Sequence, residues 1–192
     1  MGRMEDWVRR SLARWPNVPA LFGWLKLDRR GRWLIRGEPI SRPQIVETIN
    51  RNYAADEQGR WYFQNGPQRG YMELEYAPLV LRAEASGETL TAHTEARVGS
   101  VSAVYLDEEG ALLFDTDLGP GVLDAADLDW ALQRLESDTG EVGEEQLAAA
   151  LALPSGSATP LYLRLGPAQL SLQRLDAAEA PGKLGFVREP QP

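Results

Sequence analysis

The residues best suited to binding a small ligand lie among aromatic side chains in the first half of the chain. Aromatic walls with a few polar groups at their edges are typical of small-molecule pockets. Arginine in such a place favours an anionic ligand, because its guanidinium forks onto carboxylate or phosphate oxygens. A compact β-rich core with a polar rim would show the same pattern. The candidate ligand-binding residues are Trp33, Arg36, Tyr62, Gln64, Arg69 and Glu75.

Catalytic constellations are hard to assemble from this sequence. The chain has no cysteine, which excludes disulfides, thiolate metal sites and cysteine nucleophiles. It has a single histidine, His93. No Gly-x-Ser-x-Gly elbow accompanies His93, so a hydrolase triad is not expected and His93 is interpreted as a surface residue. We predict no cofactor and no metal site.

Two short motifs resemble binding loops but fail on spacing. Asp115-Thr116-Asp117 could start a calcium loop, yet the sixth and twelfth positions hold Pro120 and Ala126 instead of glycine and glutamate. Gly119-Pro120-Gly121 lacks the third glycine of a dinucleotide fingerprint. A solvated loop before Asp124 is the simpler interpretation of the first motif.

Carboxylates offer an alternative chemistry. Glu73, Glu75 and Asp115 could serve a carboxylate-dependent enzyme, provided that two of them lie close together in unequal environments. Without a catalytic motif, we expect a non-enzymatic protein and keep this enzyme as the alternative hypothesis.

The net charge of -8 is a sum of two opposite regions. Residues up to Arg42 carry 10 basic and 4 acidic side chains, whereas the remainder carries 10 basic and 24 acidic ones. An acidic total excludes a dedicated nucleic-acid binder, which needs a basic face. A small anionic ligand or a protein partner remains open, and the oligomeric state is left undetermined.

The N-terminal residues predict a short amphipathic helix. Met4, Trp7, Val8, Leu12 and Trp15 recur at helical spacing, and Pro16 ends the pattern. Such a helix either packs on the core or serves a peripheral membrane or scaffold protein, which is a further alternative function. Its shortness argues against membrane contact. With neither a signal peptide nor a run of about 20 apolar residues, we expect a cytoplasmic protein.

Strands and turns dominate the remainder. Asp-x-x-Gly turns at Asp28, Asp56 and Asp107 connect apolar segments, with the glycine in the left-handed conformation. Ser41 and Gln44 predict a capping box for a helix that extends to Tyr53. Asp124 predicts the cap of a second helix, in which Leu132 belongs to the apolar face.

An internal repeat is indicated by the order of these elements. Residues 27–31 match residues 106–110 at an offset of 79, and residues 61–68 match residues 161–168 at an offset of 100. Each half then consists of strand, turn, strand, helix, strand, turn and strand. Because such turns are common, chance similarity is the alternative.

Ordered motifs along residues 24–175 resemble a proteobacterial family of conserved proteins of unknown function. The motifs are Gly31-Arg32-Trp33, Gly37-Glu38-Pro39-Ile40, Glu75-Tyr76-Ala77-Pro78, residues 113–117 and residues 162–166. The resemblance implies a two-part α+β fold with repeated structural motifs and a ligand-binding or signalling role. Tyr76, Asp117 and Asn65 depart from the family pattern, as a sister family would.

The sequence therefore predicts an α+β fold with mainly antiparallel strands in two related halves, each with one packed helix, plus a short N-terminal helix. The expected segments are an N-terminal helix and lead-in (1–19), a first repeat half (20–100) and a second half with an acidic helix and a partly flexible tail (101–192). The expected function is that of a cytoplasmic ligand-binding or regulatory protein.

Overall fold

The computed structural model of the protein describes residues 15–192, so the predicted N-terminal helix lies outside the described residues except for Trp15. The described chain divides into two compact units. The first unit holds the residues up to Pro78 together with Phe186–Pro192, and the second unit is Leu79–Gly185. The segmentation predicted from the repeat, with a boundary at residue 100, is a different division and stays a prediction.

A six-stranded sheet and one helix form the first unit. The strand order is β3-β2-β1-β6-β5-β4, and every neighbouring pair is antiparallel except β1 with β6. The elements are β1 (Ala20–Leu27), β2 (Trp33–Ile35), β3 (Glu38–Pro39), α1 (Pro43–Arg51), β4 (Tyr53–Ala55), β5 (Trp61–Asn65) and β6 (Gln68–Leu74).

A nine-stranded sheet forms the second unit, in the order β13-β12-β14-β15-β9-β10-β11-β7-β8, with parallel pairs β9–β15 and β7–β11. The elements are β7 (Leu79–Ala83), β8 (Leu90–Ala92), β9 (Val101–Leu106), β10 (Leu112–Thr116), β11 (Gly119–Leu123), a 3₁₀ turn (Ala125–Asp127), α2 (Leu128–Leu132), β12 (Leu135–Ser137), β13 (Gly140–Glu141), α3 (Glu144–Ala152), β14 (Ala158–Leu165), β15 (Ala168–Arg174) and α4 (Ala180–Leu184). The mixed α+β class, dominated by strands in two sheets, is confirmed.

Strand alternation places the cores. In the first unit Leu25, Leu27 and Met72 are almost completely buried, and Ile49 of α1 is buried as well. In the second unit the innermost side chains include Phe114, Leu161 and Leu163. Successive residues of a strand point to opposite faces of the sheet, so Tyr71 points away from the core face that contains Met72. Tyr62, which pairs with Tyr71, lies on the same outer face.

The two sheets share a pattern of pairing. Leu27 lies opposite Trp33 on one neighbouring strand and Leu74 on the other. Leu106, 79 residues later in the sequence, likewise lies opposite Leu112 and Arg174. In both sheets the first strand of one hairpin therefore pairs in parallel with the second strand of a later hairpin.

An aspartate carboxylate closes three hairpin turns in the same way. Asp28 Oδ1 accepts hydrogen bonds from the backbone N–H groups of Arg30 (3.0 Å) and Arg32 (2.8 Å). Asp56 and Asp107 accept the corresponding bonds in their own turns.

The glycine that follows each aspartate by three residues adopts a left-handed conformation. The φ angles are 82° at Gly31, 77° at Gly59 and 90° at Gly110. Glycine is suited to this conformation because it has no Cβ that would meet the following carbonyl. The turn chemistry predicted from the sequence is confirmed.

The charge of Asp28 is stabilised within its turn. Burial opposes ionisation of this carboxylate, but hydrogen bonds from the backbone and side chain of Arg32 and from the backbone of Arg30 outweigh it. The pKa of Asp28 therefore lies below its ordinary value. Arg32 Nε approaches Asp28 Oδ2 at 2.6 Å.

Three local predictions differ from the structure. The capping box at Ser41 is wrong, because α1 begins at Pro43 after Arg42 and no side chain caps it. Asp124 does cap, through the backbone N–H of Ala126, but the cap opens a 3₁₀ turn and Leu132 is 48% exposed. The predicted extension of the first helix to Tyr53 is also wrong, because α1 ends at Arg51 and Tyr53 begins β4.

The left-handed glycine of the β9–β10 turn provides a stability test. We expect Gly110→Ala to lower the free energy of unfolding by about 1–2 kcal/mol, because the backbone conformation is strained for alanine although nothing lies within 4 Å of the added Cβ. Gly182→Ala in α4 is the matched control, because it also meets open space and has no left-handed φ. Urea unfolding measures both, and equal effects would contradict the conformational explanation.

The Asp28 turn predicts a pH-dependent stability difference. Asp28→Asn should lower the free energy of unfolding by about 2 kcal/mol at neutral pH, since two backbone donors and Arg32 lose a charged acceptor. A depressed folded-state pKa stabilises the fold above the unfolded aspartate pKa of about 3.9, and this contribution is lost as pH falls through the folded pKa. The difference between wild type and variant should therefore shrink in acid.

Urea unfolding at several pH values measures that difference. The exposed Glu38 of β3 provides a control, and Glu38→Gln should leave stability nearly unchanged at every pH. A wild-type advantage over Asp28→Asn that persists undiminished below the folded pKa would refute the assignment.

Candidate functional site

The outer face of the first sheet carries a cluster of aromatic and cationic side chains. β5 and β6 pair in a register that sets Tyr62 opposite Tyr71 and Gln64 opposite Arg69. Phe63, between Tyr62 and Gln64, is buried on the other face and lies opposite Gly70. The alternation thus places Tyr62, Tyr71 and Arg69 together on one side of the sheet.

Aromatic contacts order this face. The rings of Phe22 and Tyr71 stack with their centroids 4.6 Å apart and an interplanar angle of 3°. Tyr62 and Tyr71 lie 5.8 Å apart at 60°. Phe22 comes from β1, whose register against β6 is irregular between Leu21 and Leu25, so the site combines three adjacent strands.

Two arginines lie over these rings. The Arg60 guanidinium is 4.7 Å from the Tyr71 ring centroid and 5.8 Å from that of Phe22. The Arg69 guanidinium is 4.1 Å from the Tyr62 centroid. Cation–π contacts at these distances hold the guanidinium planes in place without neutralising their charge.

The Asp56 carboxylate neutralises one of the two arginines. Asp56 Oδ2 accepts from Arg60 Nε at 2.8 Å and from the Tyr71 hydroxyl at 3.2 Å. Its Oδ1 accepts from the backbone N–H groups of Gln58 and Arg60. Burial raises the pKa of Asp56, but these hydrogen bonds outweigh it and hold that pKa below its ordinary value.

The two arginines therefore differ in what they can offer a ligand. Arg60 also donates to the Gln191 backbone carbonyl at 2.8 Å and, at 3.4 Å, to the Tyr71 hydroxyl. Within residues 15–192, Arg69 forms no ion pair with any carboxylate. The neighbouring Tyr71 hydroxyl raises the Arg69 pKa, and an arginine guanidinium is in any case charged in proteins. Arg69 is the cation left for an anion.

An open pocket of about 460 Å³ lies beside this cluster. The volume falls in the range of small-molecule sites. The lining residues are Ala55, Asp56, Glu57, Gln58, Arg60, Tyr62 and Arg69.

Two of the candidate ligand-binding residues, Tyr62 and Arg69, line this pocket. Gln64 lies opposite Arg69, but its side-chain amide donates to the Gly66 carbonyl at 2.8 Å and so holds the β5–β6 turn. Arg36 is exposed and lies over Trp24, with 4.8 Å to the ring centroid.

The other two candidates lie elsewhere in the first unit. Trp33 is 2% exposed, and its indole N–H donates to Asn50 Oδ1 at 2.8 Å, so it is a core residue. Glu75 is exposed and accepts a hydrogen bond from the Arg29 backbone N–H at 2.8 Å. Neither lines the pocket.

Sequence reasoning missed Arg60 and Asp56. The signal was present, because Asp28 and Arg32 show the same four-residue spacing as Asp56 and Arg60, and both pairs form ion pairs. A turn aspartate followed four residues later by arginine places the guanidinium beside the carboxylate.

The other residues whose side chains could take part in acid–base chemistry have structural contacts. His93 is half-buried rather than a surface residue, and its Nδ1 accepts from the Val80 backbone N–H at 3.1 Å. Asp115 contributes to a raised pKa of Tyr105, although burial of that hydroxyl is the larger cause. Glu73 lies opposite Lys26 in the β1–β6 ladder. The carboxylate-dependent enzyme stays an untested alternative.

Three further cavities lie elsewhere in the described residues. An apolar one of about 380 Å³ lies between the core face of the first sheet and α1, lined in part by Trp15, Ile49 and Phe63. Two in the second unit have volumes of about 330 and 280 Å³. The smaller one includes Arg174, whose guanidinium donates to backbone carbonyls and to Asp176.

Two general features bear on the function. Among residues 15–192 no three potential metal-ligating side chains of histidine, aspartate or glutamate come together as a metal site would require. No helix in the same part of the chain has the length and apolarity needed to span a membrane.

A solved structure shares the fold. A DUF1285 family protein from Silicibacter pomeroyi DSS-3 is similar with a TM-score of 0.54 and 16% identity, over 82% of this chain and 83% of that chain. A DUF1285 family protein from Shewanella baltica OS155 has a TM-score of 0.42 and 12% identity, over 54% of this chain and 85% of that chain. At 16% identity the similarity to the Silicibacter pomeroyi protein concerns the fold alone.

Comparison at the sequence level identifies the family. No curated protein matches the chain. The DUF2944 model, described as "Protein of unknown function (DUF2946)", matches residues 4–191. The resemblance to a family of unknown function, predicted from ordered motifs, is thereby confirmed, and the chain belongs to the DUF2944 family.

Proposed function

We propose that the protein is a non-enzymatic, regulatory ligand-binding protein that takes a small anionic molecule in the pocket beside Arg69. The observation that carries this proposal is the position of the Arg69 guanidinium, 4.1 Å from the Tyr62 ring centroid and without an ion pair to a carboxylate among residues 15–192. A guanidinium fixed in this way presents its donor fork at little further entropic cost when an anion binds.

The surrounding charges support this choice of ligand. Asp56 is occupied by Arg60, Tyr71 and two backbone donors, so its negative charge is already compensated. The described part of the first unit holds 10 basic and 8 acidic residues, whereas the second unit holds 6 basic and 18 acidic ones. An anion is therefore favoured at the first unit.

The proposal includes a duplicated origin for the two units. The β5–β6 and β14–β15 hairpins pair in the same register, with Tyr62 opposite Tyr71 and Tyr162 opposite Ser171. At the offset of 100 residues, Pro160, Gln169 and Ser171 stand in place of Arg60, Arg69 and Tyr71. The second copy thus lacks both arginines, and the binding function belongs to the first.

The remaining features of the proposal follow from charge and composition. The acidic total makes nucleic acid an unfavourable partner. A cytoplasmic location and a signalling role suit a protein that binds a ligand without changing it. A protein partner that senses the occupied pocket would complete such a role.

Benzoate is a suitable first probe, because it joins a planar ring to one carboxylate. We expect isothermal titration to give saturable binding to the wild-type protein and about tenfold weaker binding to Arg69→Gln, because a charge-assisted pair is lost. Phenyl phosphate and citrate extend the probe set to other anions.

Arg51→Gln is the matched control for this titration. Arg51 is an exposed arginine in the last turn of α1 and lies outside the pocket lining, so its loss should leave the affinity unchanged. The proposal fails if none of the three anions binds saturably, or if Arg69→Gln binds them as tightly as the wild type.

A further inference from the structure

The pocket beside Arg69 has charges of both signs in its lining. Its four charged residues are Asp56, Glu57, Arg60 and Arg69. Asp56 and Arg60 form an ion pair with 2.8 Å between Oδ2 and Nε, so they compensate each other. One cation and one anion remain, and these are Arg69 and Glu57.

Glu57 is held at the pocket by its turn. The Gly59 backbone N–H donates to the Asp56 carbonyl at 3.1 Å, and the Gln58 backbone N–H donates to the Asp56 side chain at 2.9 Å. The backbone on both sides of Glu57 is therefore fixed. Its side chain is exposed, and among residues 15–192 its carboxylate forms no ion pair.

A purely anionic ligand would leave this carboxylate unmatched. It would gain the attraction of Arg69 but place a second negative charge in the pocket that already holds Glu57. A ligand with a positive group as well would satisfy both residues. The volume of about 460 Å³ leaves room for a molecule larger than a single small anion.

We infer that the natural ligand is a zwitterion of amino-acid or dipeptide size, with its carboxylate on Arg69 and its ammonium group on Glu57. This inference rests on the proposed anion-binding function and narrows its ligand class. The Tyr62 ring in the pocket lining would contact an apolar side chain between the two charged ends.

Three matched peptides separate the contributions of the two charges. The probes are Gly-Phe with free termini, its N-acetylated form, which keeps only the carboxylate, and its C-terminal amide, which keeps only the ammonium group. We expect the free dipeptide to bind about fivefold more tightly than the acetylated form, the size typical of one exposed charge pair. The amide should bind weakest, because it lacks the group that Arg69 holds.

Glu57→Gln tests the ammonium contact on the protein side. It should equalise the affinities of the free and acetylated dipeptides, while Arg69→Gln should weaken both. Glu47→Gln is the control, because Glu47 is an exposed glutamate of α1 outside the pocket. Glu57 is exposed in a turn whose hydrogen bonds come from backbone groups and Asp56, so the variant should keep the wild-type thermal unfolding curve.

The outcomes distinguish the two proposals. If the acetylated peptide binds as tightly as the free one and Glu57→Gln changes neither, the zwitterion inference is overturned while anion binding stands. If benzoate, phenyl phosphate, citrate and the acetylated peptide all fail to bind, the proposed function is lost and the inference with it. A free-peptide preference that disappears only in Glu57→Gln supports the inference.

Discussion

Each sheet depends on a parallel pair between strands that are far apart in the sequence. β1 pairs with β6 across about half of the first unit, and β9 pairs with β15 in the second. Parallel strands require a crossover connection. The connection from β1 to β6 includes α1, and the connection from β9 to β15 includes α2 and α3. In the first unit this pair fixes where Phe22 lies relative to Tyr71, and so where the aromatic floor under Arg60 forms.

The same floor gives two arginines different roles. Both guanidinium groups lie over tyrosine rings, which hold them by cation–π attraction. The two arginines differ because the Asp56 carboxylate compensates the charge of Arg60 and not that of Arg69. One cation thereby stabilises the turn and the tail, while the other is available to a ligand. A single ion pair thus separates structure from binding within one cluster.

Local chemistry allowed much of the fold to be predicted from the sequence. The turns at Asp28, Asp56 and Asp107 could be predicted, because the positions of the carboxylate and the glycine in such turns depend on neighbouring residues alone. The cap at Ser41 failed because Pro43 already supplies a favourable first helical position, and the chain enters the helix one residue later.

The candidate site was predicted only in part, for a different physical reason. Alternation tells which residues share a face, but not which face is packed. Trp33 and Tyr62 are both aromatic residues of predicted strands. The indole of Trp33 is nevertheless buried and donates to Asn50, whereas Tyr62 lines the pocket. Arg60 could not be linked to Tyr71 before the register of β5 against β6 was known.

The discontinuous first unit has a consequence for the order in which the molecule is completed. The Val187 N–H bonds to the Gly59 carbonyl at 3.0 Å, and the Leu74 N–H bonds to the Arg188 carbonyl at 2.8 Å. Because translation proceeds from the N-terminus, all of Leu79–Gly185 is synthesised before these closing residues exist. A nascent first unit therefore waits, unfinished, through the synthesis of its neighbour. The carbonyl of Gln191, which accepts a hydrogen bond from Arg60, is therefore added only after Leu79–Gly185 has been synthesised.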